Sequence, residues 1–309
     1  MMNPISCPLA TRRFGLSLEV SPIPHKTCNW NCVYCHLGRS HPLTNQRKEY
    51  TLRRDVISQL EKSLDKHQSE NLRWLLISGQ GEPTLHAGIG WMVRQIHQIC
   101  ELPLVIITNG AWLTHDEVRD EISMADAVMP SLDAGTADLY RRINRPWPNF
   151  GFEQMVEGLV QFRKQYQGQL WIKVMLVRGL NDSYSNLMDL AKVLEEIQPD
   201  QIHLLRPDQN PSQAWVQPPE NEAIMRALAI LGKICLVVHP DGGKFHIMNG
   251  DSLEECIFRL LQHYPMRDED LFSALRRWPL REIRRTLTLL LTNDKVQLTQ
   301  RYGCRFWRL

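Results

Sequence analysis

Six short apolar runs recur along the chain, separated by helix-length amphipathic segments, and this alternation limits the folds open to it. The runs are WLLIS (Trp74–Ser78), LPLVIIT (Leu102–Thr108), AVMPSLD (Ala127–Asp133), LWIKVMLV (Leu170–Val177), QIHLL (Gln201–Leu205) and ICLVVH (Ile234–His239). Each is mostly apolar on both faces, and most are rich in β-branched residues, as strands of a parallel sheet covered on both sides must be. A first strand is expected at Gly15–Val20. Helices are expected at Leu52–Gln68, Ile89–Cys100, Phe152–Gln165, Ser185–Glu196 and Glu220–Leu231. Another helix start is expected at Thr114–Glu117, with Thr114 as cap and Glu117 three residues on. Strands alternating with helices imply right-handed βα units. The expected class is α/β, a full or partial (β/α) barrel, with an open doubly wound sheet as the alternative. In both, chemistry gathers at the carboxyl ends of the strands.

A boundary is expected near Asn249–Ser252, dividing residues 1–250 from 251–309. Beyond it lie helical segments at Leu253–His263, Glu269–Arg277 and Leu280–Leu291. Lys295–Gln300 and Cys304–Leu309 then flank Tyr302–Gly303 as a hairpin. Helices followed by a hairpin resemble a small winged-helix module. Trp278, Phe306 and Trp307 are candidates to dock this tail on the barrel.

Hydrophobic residues make up 43 % of 309 residues and charged residues 23 %, enough apolar material for a sizeable core. A net charge of +2 does not by itself point to nucleic acid or membrane. From Met266 onward, however, ten Arg and Lys stand against five Asp and Glu, so the tail is basic. The N-terminus lacks the apolar stretch of a signal peptide, and no apolar run approaches the roughly 18 residues of a membrane span. A reducing cytoplasmic setting is therefore expected. There the eight cysteines read as metal ligands, redox groups or small core residues rather than disulfides.

Cys28, Cys32 and Cys35 lie in CNWNCVYC, spaced C-x3-C-x2-C, in a loop after the first expected strand. Three thiolates on one loop can hold three corners of a cubane iron–sulfur cluster, leaving the fourth iron open for a substrate or cofactor. A zinc site completed by His25, His36 or His41 is the second reading, and unrelated packing cysteines the third.

The triplet, with Tyr34 before its last cysteine, resembles the signature of the radical S-adenosylmethionine (SAM) superfamily. Later motifs resemble the same family in the same order. SGQGEPTL (Ser78–Leu85) is similar to its Gly-Glu-Pro motif. Thr108–Asn109–Gly110, Ser131–Leu132–Asp133 and VMLVRGLNDS (Val174–Ser183) each close a later strand. The nearest subgroup is that of iron–sulfur oxidoreductases related to wyosine-base tRNA-modifying synthases. It is similar at Arg12–Leu18, Lys26–Asn29, Cys35–Arg39, Ser131–Ala134 and Arg141–Pro146. The wyosine synthases carry a second cysteine cluster. Here Cys7, Cys100, Cys235, Cys256 and Cys304 are scattered, so one cluster is expected.

The resemblance implies a partial (β/α)6 TIM-like radical SAM barrel with a small C-terminal winged-helix-like module. It also implies a [4Fe-4S] cluster on Cys28, Cys32 and Cys35, and SAM contacts at Gly79, Gln80, Gly81, Glu82, Asn109, Ser131, Asp133 and Arg178. The implied reaction is reductive cleavage of SAM to a 5′-deoxyadenosyl radical that takes hydrogen from an unidentified RNA, nucleotide or peptide substrate. A flavodoxin or ferredoxin donor is expected. Arg12, Arg13 and Arg145 are candidate substrate contacts, since a guanidinium can fork onto carboxylate or phosphate. Each residue has a plainer role available: tight turns for the glycines, turn chemistry for Asn109, and helix capping for Glu82 and Asp133. His203 reads as a core histidine with its partners satisfied. The rival function is an iron–sulfur sensor or DNA-binding regulator using the C-terminal module.

Overall fold

The computed structural model describes residues 4–6, 8–11, 13–148, 150–207, 211–238, 252–261, 266–301 and 304–309. A short strand β1 (Leu9–Thr11) pairs antiparallel with β2 (Gly15–Val20). Then follow α1 (Arg53–Lys66), β3 (Trp74–Ile77), α2 (Ile89–Ile99), β4 (Leu104–Thr108), α3 (Asp116–Ile122) and β5 (Ala127–Pro130). Next come α4 (Ala137–Asn144), α5 (Phe152–Gln165), β6 (Gln169–Met175), α6 (Tyr184–Ile197), β7 (Gln201–Leu205), α7 (Asn221–Leu231) and β8 (Cys235–Val237). The strands lie in simple sequential order in one eight-stranded sheet. From β2 to β8 every pairing is parallel, giving seven parallel strands in a curled half-barrel.

The barrel reading therefore holds over the doubly wound one. The physical reason lies in the strand faces. Outward residues such as Leu75, Ile106, Val128, Ile172 and Leu204 join the helices in one large core. Inward residues Leu76, Val105, Ala127, Met129 and Trp171 join Phe14 in a second, smaller cluster that fills the lower lumen. Trp171 anchors it, edge-on to Trp74 at 5.5 Å and stacked on Phe14 at 6.1 Å.

Two local expectations are corrected. Thr114 does not cap α3: it ends the 3-10 turn Ala111–Thr114, and its hydroxyl donates to the Ala111 carbonyl instead. His115 stands at the N-cap without a side-chain capping bond, and Asp116 and Glu117 supply the favourable charge of the first turn. Asp133 caps no helix either, because Thr136 accepts from the Leu139 N–H at the start of α4. That helix was not expected from the apolar pattern, and it becomes important below.

C-terminal to the barrel are α8 (Leu253–Leu261), β9 (Met266–Arg267), α9 (Asp268–Ala274), α10 (Leu280–Thr292), β10 (Gln297–Arg301) and β11 (Cys304–Arg308). The strands form a separate antiparallel sheet in the order β10-β11-β9. Trp307 belongs to this segment's own core, with Ile257, Leu271, Ile283 and Leu287, and Trp278 packs against the same cluster. The expected hairpin turn Tyr302–Gly303, the boundary residues Asn249–Asp251, His239 and His263 lie outside the described residues. No helix among the described residues is long and apolar enough to cross a membrane.

Phe162 on α5 is fully buried and stacks on Tyr166 at 4.6 Å. Tyr166 in turn donates to the Ala125 carbonyl at 2.6 Å. Phe162→Ala is expected to cost about 3–5 kcal/mol through lost burial and a residual cavity. Urea unfolding followed by circular dichroism checks it, and an unchanged midpoint would contradict the packing described.

Candidate active site

The segment between β2 and α1 is long and irregular, so side-chain anchors must hold it. Between the cysteines stand Trp30 and Val33, both buried. Trp30 meets Tyr140 of α4 edge-on at 5.3 Å, and the Val33 N–H donates to the Ile143 carbonyl at 2.9 Å. The Asn31 N–H bonds the Asn144 and Arg145 carbonyls, so the loop is fastened to the end of α4. From the other side, the Ser212 hydroxyl lies 3.0 Å from both the Cys32 and Val33 carbonyls.

This arrangement leaves all three sulfurs free and half-buried at the carboxyl ends of the strands. Each meets N–H donors. Lys26 Nζ donates to Cys35 Sγ at 3.0 Å. The Trp30 backbone N–H reaches Cys28 Sγ at 3.4 Å, and Asn109 Nδ2 reaches it at 3.8 Å. Asn144 Nδ2 lies 3.7 Å from Cys32 Sγ. Burial pushes the Cys28 and Cys32 thiols up to about 12. They therefore ionise when a metal displaces the proton rather than on their own. For Lys26, burial opposes the charge, but Cys35 and Cys28 outweigh it and hold the ammonium above its usual range.

The Gly79–Glu82 segment is stitched directly to this loop. Thr27 and Gly81 form a parallel bridge, the Glu82 N–H donates to the Thr27 carbonyl at 2.9 Å, and the Lys26 N–H donates to the Gln80 carbonyl. A Cβ on Gly81 would stand 2.0 Å from the Thr27 carbonyl oxygen, so glycine is required by contact. Gly79 has φ +109°, and a Cβ there would strike Ser21. Glu82 points away from the loop into the fold. Its Oε1 accepts from the Thr84 N–H and hydroxyl and from the Thr108 hydroxyl; its Oε2 accepts from the Asn109 N–H at 2.6 Å. Burial raises its pKa, against the pull of these bonds. The capping role is real as well, since the Thr84 bonds cap the 3-10 turn Pro83–Leu85.

Asp133 makes a second buried bracket. Tyr34 and Asn144 donate to its Oδ2, both at 2.6 Å, and the Met175 N–H donates to Oδ1 at 2.7 Å. Its pKa is likewise raised by burial. Asn109 is also engaged, donating to Asn29 Oδ1 and accepting from the Ala111 N–H.

Sheet register places a polar row on the inner face above the aromatic floor. Asn109 and Ser131 follow the paired Thr108 and Pro130, Ser131 bridges Lys173, and Lys173 pairs with His203. Lys173 is half-buried; its carbonyl accepts from the Leu132 N–H, but its ammonium has no hydrogen bond or ion pair among the described residues. Burial pushes its ammonium down, against the attraction of Asp133. His203 is not the fully satisfied core histidine expected: Nε2 meets Gln201 at 3.0 Å, but buried Nδ1 has no partner among the described residues. Burial, with Arg13 adding to it, takes His203 down to about 4, so it is neutral. Arg13 reaches the same lumen, with Nη1 3.1 Å from Met129 Sδ.

The remaining candidates are dispersed. Arg178 pairs with Glu220 at 2.5 Å, both more than half exposed, at the rim. Arg145 is exposed, with φ 47° at the end of α4. Arg12 and Cys7 lie outside the described residues. Lys26, Asn144 and Lys173 were missed as site residues. A lysine inside the apolar run LWIKVMLV was the available signal, because an unpaired charge is rarely buried without a task. Asn144 had no such signal.

Among the described residues, no three His, Cys, Asp or Glu side chains converge closely enough for one metal ion. The N–H donors around the three sulfurs suit the negative charge that thiolates carry when they hold a cluster. The residues present fit a cluster.

Residues 23–191 match the radical SAM superfamily. The UPF0026 protein MJ1312 of Methanocaldococcus jannaschii is 30 % identical over 276 residues, covering 87 % of this chain and 85 % of its own. A Brachyspira hyodysenteriae protein named GTPase Obg is 37 % identical over 198 residues, 64 % of this chain, which spans only 29 % of that relative. Among solved structures, TYW1 with a lysine-pyruvate adduct bound matches 70 % of this chain and 72 % of its own, with TM-score 0.53 and 18 % identity. The chain belongs to the radical SAM superfamily. Membership implies an enzyme that uses a [4Fe-4S] cluster and SAM.

Gly81→Ala is expected to part the Thr27–Gly81 bridge and displace Cys28. Iron bound after anaerobic reconstitution should fall well below wild type while helical circular dichroism persists. Normal iron loading would show that the stitch does not position the triplet.

Proposed function

We propose that the chain is a radical SAM enzyme whose cluster is held by Cys28, Cys32 and Cys35 and whose substrate enters the half-barrel lumen. The observation that carries this reading is the joining of the thiol loop to the Gly79–Glu82 strand end, with every sulfur facing an N–H donor. When bound, the cluster supplies the electron that cleaves SAM to methionine and a 5′-deoxyadenosyl radical, which takes hydrogen from the substrate.

The protein's part is binding, orientation and exclusion. Gly79 and Gly81 let the strand end pack directly against Ser21 and Thr27, which sets this backbone beside Cys28. Lys173 offers an unpaired ammonium to a carboxylate, with the Ser131 backbone bridged beside it. Glu82, Asp133 and Asn109 hold these strand ends in place by their buried hydrogen bonds. The aromatic floor of Phe14, Trp74 and Trp171 keeps water from the lower lumen. His203 and Arg13 face the lumen from beyond Lys173 and meet the substrate, whereas Arg178 guards the rim. The C-terminal helices and sheet, winged-helix-like in content, add a substrate grip. There Arg276, Arg281 and Arg285 are exposed without ion pairs among the described residues.

The test is anaerobic reconstitution, dithionite reduction and addition of SAM, with 5′-deoxyadenosine read by mass spectrometry. Product from wild type, lost in Cys28→Ala, Cys32→Ala and Cys35→Ala, is expected. Stoichiometric zinc in fresh anaerobic protein would overturn the reading. So would a full iron complement with no SAM binding, which is the behaviour of a sensor.

Lys173→Met is expected to weaken SAM binding about tenfold or more, by loss of a charge-assisted contact. Calorimetry on the reconstituted protein checks it, and unchanged affinity would remove Lys173 from the site.

A further inference from the structure

We propose that Lys26 is a positioning residue whose ammonium raises the reduction potential of the cluster, making its one-electron reduction easier. The inference rests on the radical SAM reading above and concerns this chain's own residues.

Among the described residues, four N–H groups reach the three sulfurs, and three of them are neutral amides at 3.4–3.8 Å. The fourth is the Lys26 ammonium, closer at 3.0 Å. Reduction adds one negative charge to the cluster. A neutral amide stabilises that charge through its dipole alone, but a cation at contact distance does so by a full Coulomb interaction in a half-buried setting. Hydrogen bonds and local charge near the sulfurs are established levers on cluster potential.

The chain holds Lys26 at some cost. Its φ is 56°, a left-handed conformation disfavoured for a side chain of this kind. The strain is retained because its N–H bonds the Gln80 carbonyl and Thr27 bridges Gly81. Half-burying a lysine also costs rotamer freedom. No carboxylate repays this: Lys26 makes no ion pair with Asp or Glu among the described residues. Neighbouring Glu82 is turned inward onto Thr84, Thr108 and Asn109. The partner left to the ammonium is the sulfur of Cys35.

The experiment is a redox titration of the reconstituted full chain without SAM, followed by electron paramagnetic resonance. Wild type is compared with Lys26→Met, Lys26→Gln, Lys26→Arg and the exposed control Lys192→Met. Lys26→Gln retains an N–H donor but removes the charge. Both neutral variants should show at least a tenfold lower reduced-to-oxidised ratio at a fixed potential, about 59 mV more negative for one electron. Lys26→Arg and Lys192→Met should titrate with wild type. If Lys26→Met loads poorly, Lys26→Gln must still show the shift. A wild-type chain holding no [4Fe-4S] cluster would sink the parent reading. A loaded wild type titrating together with its neutral variants would sink this inference alone.

Discussion

The mouth of the half-barrel depends on two buried carboxylates that have given up water for backbone and hydroxyl donors. Removing a carboxylate from water costs several kcal/mol unless its oxygens are filled. Glu82 fills its own with Thr84, Thr108 and Asn109, and so ties the ends of β3 and β4 together. Asp133 does the same with Tyr34, Asn144 and the Met175 N–H, joining the cysteine loop to β6 and α4. A loop of this length has large conformational entropy to lose. These brackets, with buried Trp30 and Val33, are what let three thiols stay together without a disulfide or a preformed metal cage.

The same economy explains the division of the lumen into two levels. Below, inward side chains are aromatic or aliphatic, with the Trp171 indole N–H buried unpartnered among the described residues. Above, Asn109, Ser131, Lys173 and His203 form a row whose polarity is only partly matched within the chain. Asn109 and Asp133 are engaged in hydrogen bonds within the chain. Among the described residues, His203 Nδ1 is buried without a partner and the half-buried Lys173 ammonium makes no hydrogen bond or ion pair, so both have capacity left for a ligand. Lys173 and His203 are paired across β6 and β7 on the same face, so their spare polar groups stand at one level.

Much of the site was legible because its motifs are local. C-x3-C-x2-C must lie on one loop, and Gly79–Glu82 must end a strand whose apolar run is unmistakable. The roles inside those motifs were less legible. Glu82 and Asp133 stand at strand ends as expected, but the hydrogen bonds that hold them come from residues 26 and 99 positions away. Arg145, a candidate substrate contact, and Arg178, a candidate SAM contact, both stand exposed, Arg178 paired with Glu220. Thr114 matched a capping motif and lost the role to a 3-10 turn that claimed its hydroxyl.

Sequence alone determined the alternation of strands and helices, the loop that carries the thiols and the strand ends that face it. Those features follow from short-range spacing and from which residues must leave water. Only the tertiary structure decided which donors meet which sulfur, and that Lys173 and His203 share a level with Ser131. Register between parallel strands and the docking of α4 on the cysteine loop are set by packing across the whole sheet. Contacts such as Asn144 with Cys32, 112 residues apart, leave no local trace in the chain.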